Sequence, residues 1–166
     1  YIMWANHDVK YNYWNYHRYK DNTDILWNAK VDWKNYQIIV DRVINQYFKK
    51  ANYFKINGEP VFSVFSVSKL LESFGNSEAE VRKALDYFRD EVKKAGFPGL
   101  HIQWNQGGGS VMSEEAATRF SGSVKAMGFN SIAMYNMGGR VEDYITYGTN
   151  SIKIREQMDA VLDVPV

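Results

Sequence analysis

The chain has 166 residues, which is enough for one domain with a substantial hydrophobic core. Its 20 Lys and Arg residues nearly balance its 19 Asp and Glu residues, and no basic stripe stands out, so there is little support for a nucleic-acid partner. Cysteine is absent, which excludes disulfides and Cys-based zinc sites, and no apolar run approaches the ~20 residues of a membrane span.

The first half of the chain predicts two strands around one long helix. A short strand ends at Trp4, and the stretch from Lys10 to Lys30, rich in Tyr, Asn and Trp, is predicted to be a long loop or small excursion. Asp32 is predicted to cap a helix, and Asn57-Gly58-Glu59-Pro60 forms a turn before a strand over 61–65. The inward face of the helix that Asp32 caps is predicted to carry Trp33, Tyr36, Val40, Val43 or Ile44, and Tyr47.

The second half predicts three further helices and two further strands. Ser77 with Glu80 forms a capping box for a helix that ends at Gly96, and a strand over 99–104 follows it. Ser113 is predicted to cap the next helix, with Glu114 and Glu115 in its first turn and Gly128 at its end. The last elements are a strand over 131–135 and a helix over 151–162. The inward positions of these three helices are Val81, Leu85, Phe88, Val92; Ala116, Phe120, Val124, Met127; and Ile154, Met158, Val161.

Strands that alternate with helices predict an α/β fold with parallel pairing through right-handed crossovers. Four such units are typical either of a small open sheet or of half of a (β/α)8 TIM barrel. The chain lacks an initiating Met, opens inside a strand-like run and stops at Val164-Pro165-Val166, where another strand could begin. We therefore expect residues 1–166 to be one partial (β/α)8 barrel domain that is truncated at both ends.

Three strands run into an aromatic residue and an amide, and parallel strands place such residues at one edge of the sheet. Rings cover the C–H faces of sugars, while amides donate to and accept from hydroxyls. The residues predicted to pack against sugar faces are Trp4, Trp104 and Tyr135. Those predicted to bind hydroxyls are Asn6, Gln103, Asn105 and Asn136. For any single ring, the alternative is a place in the core.

His7 and Asp8 follow the first strand and are the candidates for acid, base or nucleophile. The alternative is a His bonded within its loop and an Asp that caps a turn. Glycoside hydrolysis usually needs two carboxyl groups, so a second one is expected from the loops, at Asp21, Asp24 or Glu142, or from outside this chain. Glu59 precedes its strand and is predicted to lie at the opposite end of the sheet, in a structural role.

The remaining motifs give weaker evidence for a functional site. The run Gln106-Gly107-Gly108-Gly109-Ser110 lacks the pattern of a P-loop or a dinucleotide fingerprint and is predicted to be a flexible loop. His7, His17 and His101 do not have metal-ligand spacing, and no Gly-x-Ser-x-Gly elbow is present. No metal or cofactor is predicted. A run of rings that alternate with polar residues predicts a β-hairpin arm with an aromatic face, a flap over a sugar, or a loop that packs its own rings. These rings are Tyr11, Tyr13, Trp14 and Tyr16.

Several segments resemble, in the same order, the WbsX-type glycosyltransferase family. They are Trp4-Ala5-Asn6, Tyr47-Phe48-Lys49-Lys50, Tyr53 to Phe62, and Ala95 to Leu100. That family is similar to glycoside hydrolase family 99, whose members are (β/α)8 barrels that act on α-mannosides, so the resemblance implies a barrel and a glycan substrate. The family usually reads Trp-Ala-Asn-Glu at the first strand end, where this chain has His7 in place of the Glu.

The sequence therefore favours a carbohydrate-active enzyme, a glycoside hydrolase in the first place, with Asp8 and His7 transferring protons. A nucleotide-sugar site such as an Asp-x-Asp motif is not visible, which favours hydrolysis over transfer. Two alternatives stay open: a glycosyltransferase of surface-polysaccharide assembly, and a barrel that binds glycans without catalysis. A glycan or polysaccharide is the expected partner, and the compartment is left open.

Overall fold

A computed structural model describes residues 1–106, 122–135, 143–162 and 164–165. Residues 122–127 are helical, and a π-helical turn over Ile44–Phe48 continues the helix that precedes it. The other elements, in chain order, are β1 (Ile2–Trp4), β2 (Val9–Lys10), α1 (Tyr11–Trp14), α2 (Tyr16–Tyr19), β3 (Ile25–Trp27), α3 (Trp33–Val43), β4 (Lys55–Ile56), β5 (Glu59–Val64), α4 (Val67–Ser73), α5 (Glu78–Lys94), β6 (His101–Gln106), β7 (Ser131–Met134) and α6 (Tyr144–Val161).

The main sheet has the order β1-β5-β6-β7, and each neighbouring pair is parallel. This confirms the α/β class and the parallel pairing predicted for the four strands. The order follows the chain without reversal. Beyond β7 the chain returns to the sheet, because the Ile132 N–H donates to the Pro165 carbonyl at 2.9 Å. β4 adds an antiparallel hairpin to β5, while β2 and β3 form a separate antiparallel pair.

The two faces of the main sheet differ in chemistry. One row of register partners runs Trp4, Val64, Trp104 and Ile132, and these side chains belong to or pack against the hydrophobic core beneath the helices. The neighbouring row alternates to the other face, because successive side chains of a strand point to opposite sides. It contains Met3, Ser63, Gln103 and Ser131.

Two helix starts and two helix ends come from local chemistry that the sequence predicts correctly. The Asp32 carboxylate accepts from the Asn35 N–H at 2.7 Å, and the Ser77 hydroxyl accepts from the Glu80 N–H at 3.3 Å. Each side chain satisfies a backbone donor that the first helical turn leaves without a partner. Gly96 and Gly128 close their helices at φ of 96° and 94°, a left-handed conformation that glycine adopts without strain.

At the end of α3 the buried face of the helix differs from the prediction. The π-helical turn over Ile44–Phe48 adds a residue to the helical repeat, so the positions after it rotate relative to the core. Tyr47, predicted to point inward, is 43% exposed, whereas Phe48 is fully buried and stacks with Phe88.

Three further differences concern element boundaries. The third strand of the main sheet covers His101–Gln106, two residues later than predicted. The last helix begins at Tyr144 and not at Ser151, because the Asp143 carboxylate accepts from the N–H groups of Ile145 and Thr146 and caps it. Helix α4 lies where no element was predicted. Ser113, Glu114, Glu115, Ala116 and Phe120 of the predicted middle helix lie outside the described residues.

Candidate functional site

Asn6 ties the carboxyl ends of β1 and β5 together. Its side-chain oxygen accepts from the Ser66 N–H, and its side-chain nitrogen donates to the Ser66 carbonyl, both at 2.7 Å. The amide thus continues the parallel pairing of the two strands, and Ser66 in turn caps α4 through its hydroxyl. Asn6 is 3% exposed, so contact with a sugar hydroxyl, predicted from the sequence, would require this clamp to open.

Asp8 lies in an ion-pair network just beyond that clamp. One carboxylate oxygen accepts from the Ala29 N–H at 2.9 Å, and the other lies 2.9 Å from the Lys69 ammonium. The same ammonium lies 2.7 Å from a carboxylate oxygen of Glu72, so two carboxylates share one cation. The Ala29 amide and the Lys69 ammonium together hold the pKa of the Asp8 carboxyl below its usual range. Asp8 is therefore suited to act as a base or nucleophile and not as an acid.

Three rings line the carboxyl ends of the strands. The His7 imidazole meets the Phe65 ring edge-on with centroids 5.6 Å apart, and the Phe65 ring meets that of Tyr135 at 5.3 Å. Phe65 follows β5 and Tyr135 follows β7, so their rings meet across β6, which lies between those strands. Tyr135 is 56% exposed and His7 is also exposed, so this row of rings is open to solvent.

The polar face of the sheet lies on the same side as Phe65. Asn105 is 7% exposed, and its side-chain nitrogen lies 2.9 Å from the Met3 sulfur, a weak acceptor. Within the described residues, the side-chain oxygens of Asn105 and Ser63 are buried without a hydrogen-bond partner. Gln103 donates to the Ser131 hydroxyl at 3.3 Å. Buried polar atoms that lack partners are uncommon and call for a donor, such as water or a ligand hydroxyl.

Trp4 and Trp104 lie on the helix side of the sheet. Trp104 is 9% exposed within the hydrophobic core, and the Trp4 ring lies 6.3 Å from that of Tyr36 on α3. Their contact with a sugar stays a prediction, and this placement does not favour it, because Phe65 and Asn105 occupy the other face. Asn136 lies outside the described residues.

Two of the carboxylates expected to complement Asp8 belong to the described residues. Asp21 and Asp24 line a concave surface of the stretch between α2 and β3, together with His17 and Arg18. Glu142 lies outside the described residues. Glu59 begins β5 at the amino end of the sheet, as predicted, where its side chain lies against Gly99.

Sequence reasoning missed Phe65, Lys69 and Glu72. Phe65 had a readable signal, since it ends an alternating apolar strand in the same way as the predicted rings. Lys69 and Glu72 lie about sixty residues from Asp8 along the chain, on a short helix with no strong pattern, so nothing local marks them.

The chain was compared with curated proteins, with solved structures and with protein-family models. No curated protein and no solved structure gives a significant match. Among the residues that the structure describes, none of the helices is long and apolar enough to span a membrane. The family model described as "Glycosyltransferase WbsX" matches residues 1–160, nearly the whole chain. The chain therefore belongs to the WbsX glycosyltransferase family, a family of carbohydrate-active enzymes.

Proposed function

We propose that the protein acts on glycosidic bonds of a polysaccharide or glycan, and that the reaction is hydrolysis. The observation that carries this proposal is the placement of the Asp8 carboxylate. Lys69 and the Ala29 amide hold it at the strand ends, where the rings of His7 and Tyr135 are exposed to solvent on either side of the half-buried Phe65 ring. Rings beside a fixed carboxylate are what a sugar and its reacting carbon require.

The residues divide into two roles. Tyr135 and Phe65 cover apolar C–H faces of the sugar, while Asn105 and Gln103 supply amide groups for its hydroxyls. Asp8, as a carboxylate, either accepts a proton from the water that attacks the anomeric carbon or attacks that carbon itself, forming a glycosyl ester that water then hydrolyses. The departing oxygen then needs a proton from another group. His7 is our candidate, because an imidazole N–H can donate a proton and the ring lies at the same strand end as Asp8.

The proposal also includes the larger architecture. A sheet whose strand order follows the chain, with polar groups on the face opposite the helices, is expected of a (β/α)8 barrel. The Pro165 backbone beside β7 supports continuation of the same order. We propose that residues 1–166 contribute four βα units to one such barrel domain, with the site at its carboxyl-terminal end.

Glycosyl transfer is the second candidate, and the description of the matched family favours it. The same arrangement of residues suits glycosyl transfer if Asp8 accepts a proton from the hydroxyl of the acceptor sugar and not from water. An α-mannoside is the first substrate to try for hydrolysis, because the WbsX-type family resembles glycoside hydrolase family 99, whose members act on α-mannosides.

The test is the Asp8→Asn variant, which keeps the shape of the side chain and removes its charge. We expect kcat to fall by ~10²-fold or more, the usual contribution of an acid–base group, with a smaller change in substrate affinity. Asp41→Asn is the matched control, since Asp41 lies on α3 and contacts Asn45, away from the strand ends. Reducing ends released from α-mannan and a panel of other polysaccharides measure the reaction.

The outcomes separate the candidates. Release of reducing ends that depends on Asp8 supports hydrolysis. Consumption of a nucleotide sugar and growth of an acceptor glycan, again dependent on Asp8, supports transfer. Binding without either reaction in the wild-type protein would leave a glycan-binding barrel, and equal rates in Asp8→Asn and wild type would remove Asp8 from the mechanism.

A further inference from the structure

A second group of rings lies on the stretch between Val9 and Trp27. This stretch, which we call the aromatic arm, consists of β2, α1, α2 and β3. Four of its rings are more than half exposed: Tyr13 at 64%, Trp14 at 66%, Tyr16 at 59% and Trp27 at 62%. Exposed aromatic side chains in such a group are a mark of a binding surface, because leaving them in water is unfavourable.

The arm holds these rings with interactions of its own. The Tyr11 N–H donates to the Asp24 carbonyl, the Asn12 N–H donates to the Asn22 carbonyl, and the rings of Tyr11 and Tyr19 meet edge-on at 5.4 Å. Trp14 and Trp27 come from opposite sides of the arm and also meet edge-on, with centroids 6.3 Å apart. The exposed rings are thus preorganised, which reduces the entropy cost of binding.

Both ends of the arm are joined to the candidate catalytic carboxylate. β2 begins at Val9, directly after Asp8, and the Ala29 N–H donates to Asp8 just after β3 ends. A ligand lying along the arm therefore leads to Asp8. Asn15 and Asn28 flank the exposed rings, and each carries an amide N–H2 group that can donate to hydroxyls.

We propose that Trp14 and Trp27, with Tyr13 and Tyr16, form a secondary binding surface for the extended part of a polysaccharide whose reacting unit lies at Asp8. This inference rests on the proposed function and adds a requirement for chain length to it. The rings cover successive C–H faces of the chain, so the surface binds a polymer and contributes little for a glycoside too short to span from Asp8 to the arm.

The experiment compares Trp14→Ala, Trp27→Ala and their double variant with wild type. Native gels that contain soluble α-mannan, glucan, xylan or galactan measure polymer binding by retardation. We expect each single variant to bind about three- to tenfold more weakly to the polymer that retards the wild type, with a larger loss in the double variant. The ratio of kcat/KM for that polymer to kcat/KM for an aryl glycoside of the same sugar should fall as well.

Phe54→Ala is the matched control. Phe54 is 51% exposed but lies beside β4 at the amino end of the sheet, so its loss should not change retardation. Equal retardation of wild type and the double variant would overturn this inference and leave the proposed function standing, provided that Asp8→Asn still lowers turnover. If the wild-type protein is retarded by none of the polymers and cleaves none of them, both proposals are overturned.

Discussion

At the scale of single residues, the Ala29 amide and Lys69 together keep Asp8 ionised. The Lys69 ammonium lies between the carboxylates of Asp8 and Glu72, and these two contacts raise the pKa of Lys69 itself, Glu72 contributing the larger effect. A carboxylate paired in this way stays ionised, which separates its role from that of a proton donor. Asp8 could be chosen from the sequence because it follows a strand, but its partner could not, because only the fold brings α4 to it.

Lys69→Met should raise the pKa of Asp8 towards its usual value. A carboxyl with a lowered pKa in the folded state stabilises the fold above its unfolded-state pKa, and this contribution is lost as pH falls through the folded pKa. In the variant this contribution should therefore be smaller and its loss should be complete at a higher pH, and the acid limb of the activity profile should move to higher pH. NMR titration of the Asp8 carboxyl and pH–rate profiles measure the two effects.

The control for this variant is Lys94→Met. Lys94 pairs with Glu91 at 2.7 Å on α5, which reproduces a Lys–Glu contact three residues apart without Asp8 nearby. Its removal should leave the acid limb in place. An acid limb that does not move in Lys69→Met would mean that the ionisation of another group limits the reaction.

At the scale of elements, local chemistry was predictable and long-range geometry was not. Asp32, Ser77 and Gly96 act within one helical turn, so their roles can be inferred from neighbouring residues. The π-helical turn over Ile44–Phe48 has no comparable signal in the neighbouring residues. The aromatic arm has no stable period, so the sequence predicts a long loop or small excursion, with a β-hairpin as one alternative, and its two short helices are not predicted.

Tyr53, in the segment before β5, joins two strands of the sheet through its hydroxyl. Its hydroxyl accepts from the Ile2 N–H at 3.1 Å and donates to the Val61 carbonyl at 2.7 Å, which links β1 to β5. Burial raises the pKa of Tyr53 to about 12, so the hydroxyl keeps its proton. Tyr53→Phe removes both bonds without changing the ring, and we expect the free energy of unfolding to fall by ~1–3 kcal/mol.

Urea unfolding measures this loss, with Tyr47→Phe as the control, since Tyr47 is exposed. Equal midpoints for Tyr53→Phe and the control would show that water replaces the hydroxyl at no cost.

At the scale of the whole molecule, the strand register decides which rings meet the core and which meet a ligand. The sequence predicted that Trp4, Trp104 and Tyr135 would share one edge of the sheet, and they do lie at or near the carboxyl ends of β1, β6 and β7. Which face each side chain occupies depends on a register with a period of two, and a shift of one residue reverses it. Trp104 pairs in register with Val64 and Ile132 on the helix side, whereas Tyr135 contacts Phe65 on the other.

Because Trp104 lies on the core side of the sheet and Tyr135 on the other side, we expect their substitution to affect different properties of the protein. Trp104→Ala should lower the free energy of unfolding by ~3–5 kcal/mol, because it removes a core ring and leaves a cavity. Tyr135→Ala should change stability little, since its ring is 56% exposed, but should weaken polysaccharide binding by ~0.5–1.5 kcal/mol. Urea unfolding and retardation in polysaccharide gels measure the two effects. Trp104→Phe keeps most of the volume, so it serves if the alanine variant does not fold. A folded Trp104 variant with normal stability and weakened glycan binding would reverse the assignment of the two faces.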